Sequence, residues 1–387
     1  MRILILSSST GGGHDMRARS FESWCRKLST DSEPMETFRF QALEESAGLY
    51  KFGVHLYNWI QKKCPRLHHL YFNWLEIFHI SASERLLLGK SKYIAKLQSI
   101  HPDLIFSVHA HTNHAFRRVA QRTLPGVKFV SYCGEMHGGY GFSRHWVDPG
   151  ADAFIGATRQ ICEAAQQHGM PANQIIYGGF LLDPSFFDPP TSDADRHAKR
   201  SAIGLSENTF TLLLSTGANG ALNHLDFLNA LRNSGLKLQV IALCGRNEAA
   251  RSAIDAWAQQ SPDIRVRALA HRDDMAQLMQ IADLVVARPG TGTTSEAIMA
   301  QCPIIFNTLG GIMPQEWITV KYLRSEGLDA PCIKKPIDLT KHLRPLIEAP
   351  DLRKRLQSKI AALRPTPSPE QLIEQLRAVS AQAHPSG

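Results

Sequence analysis

Two doubly wound α/β domains are the fold class this sequence predicts, and three observations predict it. Short apolar runs alternate with amphipathic helical stretches along nearly the whole chain, the pattern of parallel sheets covered by helices. Two of those runs break into glycine-rich turns that open helices, "LILSSSTGGGH" (4–14) and "VVARPGTGTTSEAI" (285–298). Between the two series lies "DPSFFDPPTSDADRHAKR" from Asp183, rich in proline, aspartate and small polar residues, which reads as a linker. The length of 387 residues also exceeds what one hydrophobic core usually serves.

Strands are expected first at Ile3–Leu6, Leu104–Val108, Lys128–Tyr132, Ala153–Ile155 and Gln174–Tyr177, giving an N-terminal domain of 1–185. After the linker come Phe210–Leu214, Leu238–Cys244, Ile264–Leu269, Leu284–Ala287, Pro303–Phe306 and Ala330–Ile333, giving a second domain of 186–365. The "HPDL" and "SPDI" entries before two strands read as helix-to-strand turns. The expected architecture is two Rossmann-like domains facing each other across a cleft.

Composition narrows the class. Hydrophobic residues at 43% and charged residues at 20% describe a globular protein. No apolar run approaches the ~18 residues of a membrane-spanning helix, and Met1–Leu6 is too short for a signal-peptide apolar region. Seven scattered cysteines without a C-x-x-C pair argue against a disulfide framework or zinc ribbon and for a reducing compartment. A net charge of +8 favours an anionic partner: a nucleotide, a nucleic acid or an acidic membrane. The basic residues are dispersed and no nucleic-acid motif is present, so nucleic acid is not expected.

Leu49 to Phe78 breaks the alternating rhythm. Trp59, Trp74, Tyr57, Tyr71 and Phe72 crowd there with Lys51, Lys62, Lys63 and Arg66 on helical stretches. Basic amphipathic helices with tryptophan suit a membrane interface, where rings lie at headgroup depth and cations meet anionic lipid. Helix–helix packing inside the first domain explains the same composition, and both can hold on different faces.

A strand that runs into glycines and then a helix aims backbone N–H groups and the positive end of the helix dipole at one spot. Glycine lets a ligand approach that backbone closely. Gly11, Gly12 and Gly13 are followed by His14, whose imidazole can accept a proton near neutral pH. Neither loop is a G-x-G-x-x-G, and no G-x-x-x-x-G-K-[ST] occurs, so dinucleotide-dependent oxidoreduction and P-loop hydrolysis are not expected. In the second loop Gly290 and Gly292 lead to Thr293, Thr294 and Ser295, groups able to bind a diphosphate, and Glu296 is placed to accept ribose hydroxyls. Charge compensation of its own helix N-terminus explains Glu296 equally. Paired loops of this kind suit a nucleotide-linked ligand.

With these residues in view, "SSSTGGGH" (7–14), "GRNEAARSAI" (245–254), "ARPGTGTTSEAI" (287–298), "GGIMPQEWITVKYL" (310–323) and "GGFLLDPSFFDP" (178–189) resemble the diacylglycerol glycosyltransferases. These are the monogalactosyldiacylglycerol synthases and processive glucosyltransferases, relatives of the lipid-II-forming N-acetylglucosaminyltransferase. The resemblance covers nearly the whole chain in order. It implies a GT-B fold and an inverting transfer of a hexose from a UDP-sugar to a membrane lipid hydroxyl, diacylglycerol above all. On that likeness His14 contacts or deprotonates the acceptor hydroxyl, and Gly12, Gly13, His109 and His137 line the acceptor side. Gly217, Arg246, Arg288, Gly290, Gly292, Thr293, Thr294 and Glu296 hold the donor, with Gln315 and Glu316 on the sugar hydroxyls. Trp59, Lys62, Lys63 and Trp74 match the membrane-docking segment, and a helix at about 366–387 crosses back onto the first domain.

The chain departs from the family where an aspartate commonly follows the strand ending in "FVSYCGEMHGGYG"; here stand Cys133, Gly134 and Glu135, leaving Glu135 to orient His14 or act as base itself. Arg288 replaces the usual lysine, and "VHAHTNH" replaces the expected histidine–proline turn. No metal cofactor is expected, because a helix N-terminus with threonine hydroxyls can offset the leaving diphosphate, and the one D-x-D, Asp193–Asp195, falls in the linker. His109, His111 and His114 are close enough to suggest a metal site but lack a nearby carboxylate or thiol. The expected location is cytoplasmic, peripheral on the inner face of the cell membrane. Competing readings are a UDP-sugar transferase or epimerase acting on a soluble substrate, and a non-catalytic nucleotide-sugar-binding protein.

Overall fold

The computed structural model of the chain describes residues 1–63, 67–77, 83–215 and 223–381. They fall into two compact units: Met1–Pro184 with Met313–Thr319 and Pro365–Gly387, and Ser185–Ile312 with Val320–Arg364.

In the first unit the chain runs β1 (Arg2–Ser7), α1 (Gly13–Leu28), β2 (Glu36–Gln41), α2 (Ala42–Ser46), α3 (Gly48–Lys63), α4 (His68–Ile77), α5 (Lys90–Ile100), β3 (Leu104–Ser107), α6 (Ala115–Thr123), β4 (Lys128–Cys133), β5 (Ala153–Gly156), α7 (Arg159–Gln167) and β6 (Ile175–Tyr177). All six strands are parallel, in the order β2-β1-β3-β4-β5-β6. Strands β3 and β4 are buried at every position, which is why they read as unbroken apolar runs. Strand β2, "ETFRFQ", was not expected from the sequence. As an edge strand it is only partly buried, and its Arg39 pairs with Glu22 on α1, so charged residues mask it.

The second unit holds α8 (Asp193–Ala202), β7 (Phe210–Ser215), α9 (His224–Arg232), β8 (Leu238–Gly245), α10 (Glu248–Gln259), β9 (Arg265–Ala270), α11 (Met275–Ile281), β10 (Leu284–Ala287), α12 (Thr291–Met299) and β11 (Ile304–Asn307). Helix α13 (Pro314–Ser325) begins in the segment that counts with the first unit, and β12 (Cys332–Ile333), α14 (Asp338–Glu348) and α15 (Pro350–Ala361) complete the second. Its sheet is again parallel, ordered β12-β11-β10-β7-β8-β9. The last helix, α16 (Pro369–Ala381), counts with the first unit, where Arg377 donates to the Leu28 carbonyl at 3.1 Å and pairs with Glu33 at 2.6 Å.

The expected linker is corrected in part. From Asp193 it is helix α8, whose Ser192 hydroxyl accepts the Asp195 N–H at 3.1 Å. Arginines rather than apolar residues anchor this helix: Arg196 and Arg200 reach Asp283 at 2.9 and 2.8 Å. That anchoring hid it from a hydrophobic pattern. The Asp193–Asp195 pair thus sits in the first turn of a helix, where acids complement the dipole.

Each sheet reverses its strand order once, between β1 and β3 in the first and between β7 and β10 in the second. Connections from two such neighbours leave toward opposite faces, and the crevice beyond their carboxyl ends is where open α/β sheets bind ligands. The glycine turn 8–13 follows β1; the turn 288–290 follows β10.

Candidate active site

At the first crevice, Gly11 and Gly12 adopt φ of 64° and 79°, the left-handed region that glycine enters without strain. Gly12 caps α1 without a side-chain partner, so His14 stands in the first helical turn, where backbone amides lack intrahelical acceptors. The Nδ1 of His14 lies 2.7 Å from the Val108 carbonyl oxygen. A carbonyl only accepts, so Nδ1 carries the proton and Nε2 keeps its lone pair. Burial first, and the Arg17 guanidinium second, push the His14 pKa down to about 3. The ring is therefore neutral at physiological pH and able to accept a proton at Nε2.

His109 packs edge-on against His14 at 4.4 Å between centroids. Its Nδ1 accepts the His111 N–H at 3.2 Å, which leaves Nε2–H to donate to the Thr10 hydroxyl at 3.0 Å. Strand β3 ends at Ser107, and Ala110–Thr112 form a 3₁₀ turn. His109 and His111 therefore do not share a strand face. No group of three or more His, Cys, Asp or Glu among the described residues is arranged to hold a metal ion. His137 accepts the Gly139 N–H at 2.9 Å in the loop after β4.

In that loop Glu135 is 9% exposed, and its Oε2 has no hydrogen-bond partner. Burial raises its pKa to about 7 against the opposing pull of Arg17. Arg17, itself buried, donates to the Gly134 carbonyl at 2.6 Å. The group that orients His14 is the Val108 carbonyl, so of the two roles left open for Glu135 the orienting one is filled by backbone. The raised folded-state pKa gives a signed expectation for stability. Relative to an unfolded carboxyl near 4.5, this burial costs nothing at low pH and becomes destabilising as pH rises through about 7. Glu135→Gln is accordingly expected to match the parent at pH 4 and exceed it at pH 8 by on the order of 3 kcal/mol, read from urea unfolding at both pH values.

Gln315 and Glu316 lie in the segment that counts with the first unit. The Glu316 carboxylate accepts the Met313 N–H at 2.9 Å, and the Gln315 Oε1 is buried without a hydrogen-bond partner. Gly141, at φ 106°, lies against the Pro314 carbonyl, and any side chain there would collide with it. Glu135 and Glu316 both act electrostatically on Tyr57 of α3, whose pKa rises chiefly through burial. This brings the motif at the start of α13 into the same region as the β4 loop.

At the second crevice Gly290 caps α12 without a side-chain partner, and the positive end of the helix dipole lies at this turn. The Thr294 hydroxyl is buried with no hydrogen-bond partner, and Thr293 is partly exposed. The Ser295 hydroxyl is turned back to the Gly292 carbonyl at 2.7 Å. Glu296 is partly buried on the same helix, and Arg246 is exposed after β8. Arg288, expected on the donor, donates to the Leu309 and Gly311 carbonyls at 2.9 and 2.7 Å and holds the loop after β11. Gly217 lies outside the described residues. Trp59 and Trp74 are 53% and 49% exposed, while Lys62 and Lys63 belong to α3 but their side chains are not described.

Two parallel six-stranded α/β sheets, each with a glycine turn at its switch point, are the architecture of the GT-B fold. Solved structures of that shape cover nearly the whole chain: Acinetobacter baumannii MurG (97% of this chain, 99% of that one; TM-score 0.59, 14% identity) and Anabaena Alr3699/HepE in complex with UDP-glucose (98% and 100%; 0.55, 16%). Residues 215–310 match the glycosyltransferase family 28 C-terminal domain. The chain is 25% identical over 347 residues to a probable chloroplastic monogalactosyldiacylglycerol synthase 2 of Oryza sativa subsp. indica, covering 84% of this chain and 69% of that protein. It is 22% identical over 312 residues to a processive diacylglycerol beta-glucosyltransferase of Bacillus pumilus, covering 79% and 76%. The protein is a glycosyltransferase, and its resemblance to the diacylglycerol glycosyltransferases extends over most of its length.

Proposed function

We propose that the protein transfers a hexose from a UDP-sugar to a membrane lipid hydroxyl, with diacylglycerol as acceptor and inversion at the anomeric carbon. The observation that carries this reading is His14, seated at a switch-point turn with Nδ1–H committed to backbone, so that Nε2 is the ring's proton acceptor. The acceptor hydroxyl attacks the anomeric carbon, its proton passes to His14 Nε2, and the bond to UDP breaks in the same displacement. A pKa near 3 makes a weak base in the empty site. Negative charge brought near the imidazolium raises that pKa, so the base strengthens when an anionic substrate is in place.

The leaving diphosphate is met by the α12 N-terminus, with the Thr293 and Thr294 hydroxyls, and this needs no metal ion. Gln315 and Glu316 take the donor sugar and Glu296 the ribose. Relatives named for diacylglycerol and a structural neighbour solved in complex with UDP-glucose support the choice of substrates. Incubating the chain with radiolabelled UDP-glucose, UDP-galactose and UDP-N-acetylglucosamine and diacylglycerol vesicles tests it. Label entering the organic phase with equal UDP release is the expected result; UDP release without lipid label refutes the acceptor.

The exposed face of α3 and α4 supports a membrane location for the acceptor. No helix among the described residues is long and apolar enough to cross a membrane. Yet Leu49, Phe52, Trp59, Leu70 and Trp74 are all exposed on these two helices, and α3 contains no acidic residue. Tryptophans beside cations fit the interface of an anionic bilayer on the cytosolic side. Trp59→Glu with Trp74→Glu is expected to cut co-sedimentation with phosphatidylglycerol vesicles at least fivefold while UDP affinity stays the same.

A further inference from the structure

The membrane-facing helix is also the clamp on the catalytic turn. On α3 the side chain of Asn58 does two things at once: its Oδ1 accepts the Gly11 N–H at 2.9 Å, and its Nδ2 donates to the Ser9 carbonyl at 3.3 Å. Its neighbour Trp59 points into solvent, with Leu49 and Phe52 also exposed on α3. From α2, Glu44 holds the same turn, accepting the Ser9 N–H at 2.7 Å and the Ser8 and Ser9 hydroxyls at 3.1 and 2.8 Å. The turn thus depends on the helices inserted between β2 and β3 for three backbone contacts. Gly12 offers no side chain to cap α1, and side chains from outside the turn hold it.

We infer that Asn58 is a positioning residue that couples seating of α3 on an anionic lipid surface to the alignment of the Gly11–His14 turn. The inference rests on the lipid-acceptor reading above. The occupant of the α3 face is a bilayer because the face is apolar and aromatic with cations around it and no acid on the helix. Lys51 is exposed on α3, and the Leu88 N–H donates to the Tyr50 hydroxyl at 3.2 Å, which sets exposed Arg85, Leu86 and Leu88 alongside. A helix free in water exchanges its short polar contacts more often than one whose opposite face is buried. Seating α3 therefore lengthens the time for which Gly11 and Ser9 are held and His14 is aimed.

Hydrogen exchange and turnover on the full chain separate this from the reading it rests on. Vesicles of phosphatidylglycerol and phosphatidylcholine, lacking diacylglycerol, are added to the wild type and to Asn58→Leu. In the wild type, exchange of a peptide spanning residues 8–13 is expected to slow at least threefold on vesicle addition. The kcat for a soluble short-chain diacylglycerol is expected to rise by a similar factor. Asn58→Leu is expected to sediment with vesicles as the wild type does, yet show no change in either quantity. Unchanged exchange in vesicle-bound wild type overturns the coupling, as does an undiminished response in Asn58→Leu. The wild-type exchange decides the matter even if the variant fails to fold. Transfer to lipid is scored in the turnover arm alone, so loss of the lipid reading shows there and leaves the exchange result legible.

Discussion

His14→Ala is expected to lower sugar transfer by about 100- to 10,000-fold, the range that a positioned acid–base group contributes. UDP affinity, measured by calorimetry, is expected to stay within about twofold, because the proposed donor turn belongs to the second crevice. The size of the loss follows from the site's geometry. Nδ1 is fixed on the Val108 carbonyl, so Nε2 is the ring's proton acceptor. His109 stands 4.4 Å away, but its Nδ1 already takes an amide and its Nε2–H faces Thr10. The pH profile adds an independent reading. If Glu135 were the base, kcat/KM would fall below about pH 7 and that limb would vanish in Glu135→Gln. With His14 as base, its low pKa keeps the imidazole neutral, and the limb lies well below 6.5.

Gly290→Ala is the second large effect. Nothing lies within 4 Å of a Cβ built at Gly290, and its φ of −80° suits any residue, so the fold is expected to keep its melting temperature within about 1 °C. In the proposed complex that empty space is where the diphosphate meets the α12 amides. A methyl group there holds the phosphate off the backbone. UDP is expected to bind at least tenfold more weakly, about 1.4 kcal/mol or more. A large affinity loss without a stability loss is the signature of a glycine kept for its ligand and not for its turn. Equal UDP affinity in Gly290→Ala would remove this turn from the donor site.

Much of the architecture was legible because parallel strands buried on both faces leave unbroken apolar runs, as in "LIFS" of β3 and "KFVSYC" of β4. The edge strand β2 and helix α8 were not, since the first is half exposed and the second is anchored by Arg196 and Arg200. Both glycine turns could be found from local sequence. Their place at the two switch points could not, because strand order is a property of the whole sheet. The partners that give the site its chemistry are remote in sequence: Val108 is 94 positions from His14, Gly134 is 117 from Arg17, and Asn58 is 47 from Gly11. Arg17, one helical turn past His14, was the exception that the i, i+3 spacing could have flagged. Arg288 also ties down the Leu309 and Gly311 carbonyls, a role that its place beside a phosphate-type turn does not show.

A crystal structure of the full chain with UDP tests the central claim most directly. The account predicts diphosphate oxygens within hydrogen-bond distance of the backbone amides of Gly292 and Thr293, with the Thr294 hydroxyl no longer without a partner. Nucleotide density lodged elsewhere, with those amides facing only solvent, would contradict it.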